Sequence, residues 1–477
     1  MTGRDTAPGS GTGTGIDCVV RYARTAEPGG RFVEAVAVHP SDGLLPEPAR
    51  AFPQAPGSLN ALIGGANSEI EQNEDAFQLR IQAPDGAHDL PVVVFVPGGG
   101  FLSGTAHTRW FTSPALVQGG PVVLVTVNYR IGVLGHLGPQ GDAHESQRPI
   151  RDLLQALRWV KDRIVSFGGD PENITLAGDS AGAWYGFALA ADPMAAGLFR
   201  RLALISLPWE PPLTAAALRS RSDLVSTALA ESGGLTGAPV EAVLGAQADL
   251  VRAYAGRGMA LMPAAGGPIT ADLHDYGRSA SRLHVESLLL LSTSEEAAAF
   301  LRPAPDSAFP PHALDAFLES KFEDPVATTA WIGSKRPGAT GKERMVEMMT
   351  LHQFRLAHLE LARAAARAGL DVHLAGFSVQ SLLSGAGSPH CMPLPFLFGD
   401  RRAWADAPML DGVGPGTFTA TAASLQEWFL GFARDGRPRA AGAELAAFDP
   451  ETPRRLEFNG RSAALEVPSE LHLAARR

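Results

Sequence analysis

The stretch Ile174–Ala191, ITLAGDSAGAWYGFALAA, decides how the rest of the chain is read. Its opening run, Ile174 to Ala177, suits a strand covered on both faces. Gly178-Asp179-Ser180-Ala181-Gly182 then makes a G-x-S-x-G pattern, and an apolar run of helical character follows. A reactive Ser on a tight strand-to-helix turn requires neighbours two residues away that lack side chains. The helix behind it aims its N-terminus at the Ser, where developing negative charge is favoured. With 52 glycines in 477 residues, chance supplies about 0.3 such pentapeptides, so the strand and helix on either side carry the signal.

Some eighty residues upstream, PVVVFVPGGGFLSG (Pro91–Gly104) sends a second strand into three consecutive glycines. Bare backbone N–H groups at Gly99 and Gly100, with that of Ala181, are what a developing oxyanion needs. A phosphate loop of this kind calls for a Lys or spaced glycines, and neither is present. Two such elements, each following a strand, point to acyl transfer.

Further apolar runs read as strands: Val92–Val96, Val122–Val127, Leu202–Ser206, Leu288–Leu291 and Val372–Phe377. Between them lie helical periods at Pro149–Phe167, Met345–Ala368 and Thr419–Arg434; GGDPEN, before Ile174, reads as a turn. The alternation implies an α/β fold with a mostly parallel central sheet flanked by helices. A tail over residues 1–14 is expected to be disordered, followed by one domain over 15–470. Helical insertions at about 210–285 and 300–368 are expected to form a lid. The balance of 40 basic and 50 acidic residues, net −10, leaves no basic excess for phosphates, so nucleic-acid binding is disfavoured. No apolar run is long enough to span a membrane. No secretory leader is apparent, and the two cysteines, Cys18 and Cys391, cannot build a disulfide framework, so a cytoplasmic location is expected. No cofactor or metal motif occurs.

Four stretches resemble the type B carboxylesterases of the α/β-hydrolase superfamily, the group that includes the cholinesterases. They are VVLVTVNYRIGVLGHLG (Val122–Gly138), the block from Leu153 to Gly182, SPHCMPLPFLFGD (Ser388–Asp400) and EWFLGFARDGRP (Glu427–Pro438), with a weaker echo at NEDAFQLRI (Asn73–Ile81). The resemblance implies the rest of a Ser-acid-His triad. In LLLLSTSEEAAAF (Leu288–Phe300) it places the acid at Glu296, with Glu295 as competitor. Through Leu394-Pro395-Phe396 it places the base at His390, whereas His352, His358 and His373 read as ordinary. It also implies that Ser206 hydrogen-bonds behind the acid, although a hydroxyl closing a strand end accounts for that Ser equally well.

The chain departs from the family pattern at several points. Pro97 precedes the glycines and stiffens the loop entrance. Asp179 stands for a Glu, shortening a carboxylate arm near the leaving group, and Ala76 stands for a Cys. Trp184 and Tyr185 follow the elbow where small residues are usual, either narrowing the space beneath Ser180 or packing the helix. The expected activity is hydrolysis of a small-molecule ester. The competing readings are an idle binding protein on the same fold and a dedicated deacylase of one metabolite; oligomeric state is not legible.

Overall fold

The computed structural model describes residues 15–473 apart from 27–29, 39–43, 45, 66–68, 113, 140–144, 461–462 and 471–472. The tail expected over 1–14 lies outside the described residues. The chain divides into two compact units. One comprises residues up to Gly57, Gly65–Leu202 and Pro211–Val285; the other comprises Ser58–Gly64, Ala203–Glu210 and the chain from Glu286 onward.

The first unit is built on strands β1 (Ile16–Arg21), β2 (Gln78–Ala83), β3 (Leu90–Val96), β4 (Val123–Val127) and β5 (Gly169–Asp179), in the order β1-β2-β4-β3-β5. β3 pairs parallel with both β4 and β5, Val94 lying opposite Val125 and Leu176, while β1/β2 and β2/β4 are antiparallel. β4 is buried throughout and β3 from Pro91 onward, as unbroken Val-rich runs require. Helix α1 (Arg148–Arg163) buries Ile150, Leu153, Leu154, Leu157 and Val160 along one face. Each such side chain contributes about 1.5–3 kcal/mol on burial. The expected helix to Phe167 tightens into a 3₁₀ turn over Ile164–Phe167, which Gly168 ends at φ 80°.

GGDPEN differs from its reading as a turn: Gly169–Asn173 is already part of β5. A register irregularity between Leu90 and Val92 lets this polar stretch join β3, and Asp170 Oδ1 still accepts the Glu172 N–H as in an Asx turn. Helix α2 (Ala181–Ala190) is apolar all round and all ten residues are buried. Helices α3 (Ala215–Leu229) and α4 (Val240–Ala253) occupy the first expected insertion. Leu218, Val225, Val243 and Leu250 pack there with Val133 and Leu134.

The second unit carries β6 (Arg201–Ile205, from Ala203), β7 (Ser287–Thr293), β8 (Asp371–Phe377), β9 (Arg455–Phe458) and β10 (Ala463–Glu466), in that order. β7/β8 and β8/β9 are parallel and β9/β10 antiparallel. Helices α5 (Pro311–Lys321), α6 (Pro325–Lys335), α7 (Gly341–Thr350) and α8 (Leu356–Arg367) fill the second expected insertion. The period read through Met345–Ala368 is broken by one π turn, Leu351–Arg355. The unit closes with α9 (Leu394–Phe398) and α10 (Pro415–Asp435).

Candidate active site

In the first unit, β5 hands the chain to α2 through Ser180, which sits at φ 54° and ψ −122°. That is a strained conformation for a residue with a side chain. The flanking glycines are dictated by close approach. A Cβ on Gly182 would lie 2.0 Å from the Val96 carbonyl oxygen, and one on Gly178 would lie 2.5 Å from the Gly182 carbonyl carbon. Ser180 is half-buried at the head of α2. The N–H of Ala181, the first helical residue, has no acceptor within the helix. Trp184 and Tyr185 are buried and pack the helix: Phe101 meets both edge-on, and the Tyr185 hydroxyl meets His136 Nε2 at 2.8 Å.

The glycine loop beyond β3 is held at both ends. Tyr129 donates its hydroxyl to the Pro97 carbonyl at 2.6 Å, and Asp179 Oδ1 accepts the Gly98 N–H at 3.0 Å. Sequence reading took Asp179 for a change of charge near the leaving group; its carboxylate fixes the loop to the elbow. Gly99 lies at φ 134° and Gly100 at φ 61°. The Gly99 carbonyl is taken by the N–H groups of Leu102 and Ser103, both at 3.1 Å, which turns the loop back on itself. The N–H groups of Gly99 and Gly100 have no acceptor among the described residues, and Gly99 is exposed.

In the second unit, Glu296 follows the end of β7 and is fully buried. One carboxylate oxygen accepts the Thr293 N–H at 2.7 Å and the Ser206 hydroxyl at 2.6 Å, and the other meets His390 Nδ1 at 2.5 Å. Burial pushes this carboxyl up, but the His390 imidazole and the hydrogen bonds from His390, Ser206 and Thr293 outweigh it and leave it below the usual range. His390 is buried between the rings of Phe300 and Phe354, centroids 5.2 and 5.6 Å away. Its Nε2 has no hydrogen-bond partner among the described residues.

Glu295 takes other partners. Its carboxylate pairs with Arg336 and accepts from Ser294, Gln380 and the Ser388 N–H. His358 Nε2 meets the Leu207 carbonyl, while His352 packs on Trp209 and His373 on Phe432. Cys18 and Cys391 are buried and form no disulfide. Among the described residues no group of three or more His, Cys, Asp or Glu could hold a metal ion, and no helix is long and apolar enough to cross a membrane. Thus Ser180, Asp179, Ala181, Gly99 and Gly100 fall in the first unit, and Glu296, His390 and Ser206 in the second. Sequence reading missed Tyr129 and Phe354. Tyr129 stood inside the quoted Val122–Gly138 block, but nothing local marks Phe354, which reaches His390 from the π turn.

A model described as Carboxylesterase family matches residues 19–243. Over 402 residues the chain is 30% identical to the Rhodococcus erythropolis protein named "Probable N-octanoylanthranilate hydrolase AqdA2", covering 82% of this chain and 83% of that one. Phenmedipham hydrolase of Pseudarthrobacter oxydans is 28% identical over 406 residues, 82% of this chain and 79% of its own. Among solved structures, carboxylesterase EST55 of Geobacillus stearothermophilus superposes over 96% of both chains with TM-score 0.77 and 26% identity. A thermophilic PNB esterase gives TM-score 0.80 over 97% of this chain and 95% of its own; at 23% identity it speaks for the fold alone.

Proposed function

The chain belongs to the carboxylesterase family and has the α/β-hydrolase fold, and from that premise we propose that it hydrolyses small-molecule carboxylic esters through an acyl-enzyme on Ser180. His390 is the general base and Glu296 the carboxylate that orients it. The observation that carries this reading is the buried Glu296–His390 hydrogen bond at 2.5 Å from Nδ1, on a ring whose Nε2 has no hydrogen-bond partner among the described residues.

In this mechanism Ser180 Oγ attacks the ester carbonyl while Nε2 of His390 takes its proton. The carbonyl oxygen becomes an oxyanion held by the N–H groups of Gly99, Gly100 and Ala181. The intermediate collapses, the C–O bond to the alcohol breaks, and the imidazolium protonates the departing oxygen. Water, deprotonated by His390, then attacks the acyl carbonyl. This second intermediate collapses, the C–O bond to Ser180 Oγ breaks, the imidazolium returns the proton to Oγ, and the carboxylic acid leaves. Glu296 accepts from Nδ1 throughout, which fixes the ring tautomer and stabilises its charged form. Ser206 and the Thr293 N–H hold the far oxygen of that carboxylate in place.

The relatives named for hydrolysis of N-octanoylanthranilate and phenmedipham support, as a second reading, a hydrolase dedicated to one compound by the same residues. Two buried cysteines that form no disulfide are compatible with a cytoplasmic location, for which cell fractionation is the test. Ser180→Ala is expected to abolish turnover of a p-nitrophenyl acyl ester, a loss of at least about 10⁴-fold, with the far-UV spectrum unchanged. A fluorophosphonate is expected to label the wild type at Ser180 and leave the variant unlabelled. Retention of more than a few per cent of activity in the variant sinks the assignment.

A further inference from the structure

We propose that Glu295, one residue before the orienting acid, is a positioning residue that shapes and holds the loop carrying His390. This rests on the Ser180–His390 reading above and assigns Glu295 a separate task. Glu295 is buried and meets the loop from two sides: its N–H donates to the Ser388 carbonyl at 3.1 Å, and its carboxylate accepts the Ser388 N–H at 2.8 Å. This reciprocal pair fixes the backbone two residues before His390.

The loop is moulded around that carboxylate. Gly387 lies at φ 59°, a conformation that favours glycine, and a Cβ there would stand 3.0 Å from the Glu295 carboxyl carbon. The Gly387 carbonyl in turn receives the Ser381 N–H at 2.8 Å, and the Ser388 hydroxyl donates to the Phe377 carbonyl at 3.2 Å, which ties the loop to the end of β8. The Glu295 carboxylate also accepts from Gln380 Nε2 at 3.2 Å and from the Ser294 hydroxyl at 2.5 Å. A buried carboxylate so placed needs a cation, and Arg336, just past α6, supplies it. Arg336 also pairs with Glu347 of α7 at 2.8 Å, so the second helical insertion delivers the counter-charge. Burial pushes the Glu295 carboxyl up, but its hydrogen bonds and Arg336 hold it below the usual range, so it remains an acceptor at neutral pH.

The alternative is that Glu295 only adds stability. The two roles separate in a comparison of Glu295→Ala with Glu295→Gln. Glutamine loses the ionic pairing to Arg336 but keeps an oxygen able to accept the Ser388 N–H; alanine loses both. If Glu295 positions the loop, Glu295→Ala lowers kcat on a p-nitrophenyl ester by about 10²-fold with KM within about 2-fold, as displacement of a reacting group by about 1 Å does. Glu295→Gln recovers at least about ten-fold of that loss. Should Glu295→Ala fail to fold, Glu295→Met, which keeps the bulk and lacks the acceptor, takes its place. Wild-type kcat in the alanine or methionine variant overturns the proposal, and so does an equal loss in the glutamine variant. Both results are read in a protein whose Ser180 still takes a fluorophosphonate, so failure here is distinct from failure of the nucleophile assignment.

Discussion

At the scale of single residues, the division of work between Glu295 and Glu296 is decided by one residue's step along the chain. Glu296 points its carboxylate at His390 Nδ1, and Glu295 turns to Arg336 and Ser388. Glu296→Gln is expected to lower kcat by about 10⁴-fold with little change in KM, because an amide NH₂ facing Nδ1 favours the wrong ring tautomer. Steady-state kinetics on a p-nitrophenyl ester check it, and a loss smaller than that of Glu295→Gln would move the orienting role by one residue. Ser180 was legible in the sequence because its elbow is local: the glycines that permit φ 54° stand two residues away on either side. The Glu296–His390 contact spans 94 residues and left no local trace, so only the family resemblance located it. Ser206 was ambiguous for the same reason, its partner Glu296 lying 90 residues on.

At the scale of elements, the glycine loop after β3 shows what local pattern can and cannot convey. Three glycines after a strand announce a turn with exposed N–H groups, but the clamps on that turn, Tyr129 on Pro97 and Asp179 on Gly98, come from other parts of the chain. Gly99 is the tightest point. A Cβ there would lie 2.0 Å from the Ser103 carbonyl oxygen, and φ 134° is foreign to a residue with a side chain. Gly99→Ala is therefore expected to swing the loop and cost about 10²–10³-fold in kcat, with labelling by a fluorophosphonate slowed in parallel. Wild-type kinetics in that variant would remove Gly99 from the oxyanion site. The buried strands were readable because parallel strands covered on both faces must be continuously apolar. β1, β9 and β10 were not: IDCVVR and RLEF mix charge with apolar residues, as strands in antiparallel or short pairings do. The π turn at Leu351–Arg355 was hidden because one extra residue per turn leaves a three-to-four spacing almost intact.

At the scale of the molecule, the second unit is laced by an alternating chain of charges that no window of sequence displays. Arg336 and Arg355 share Glu347, both at 2.8 Å; Arg355 reaches Glu470 at 2.9 Å, and Glu470 is closed by Arg455 at 2.5 Å. The chain thereby ties the insertion helices and the π turn to β9 and to the segment beyond β10. Glu470 is buried, which pushes its carboxyl up, yet Arg355 and Arg455 overcome that and hold it down at about 2. The native state thus binds its proton far less readily than the unfolded chain, where the carboxyl titrates near 4.5. The stability this contributes is fully present above the unfolded value, is about 3 kcal/mol at neutral pH, and is lost as pH falls toward 2. Glu470→Gln, which resembles the protonated form, is expected to lower stability by about that amount at pH 7. Urea unfolding of wild type and variant from pH 7 downward reads the difference. The gap is expected to hold to about pH 5 and to narrow steadily below it, because the wild type is then losing what the variant never had. A gap that stays constant down to the acid limit would show that the carboxylate's charge contributes nothing, and that Glu470 serves by packing and hydrogen bonding alone.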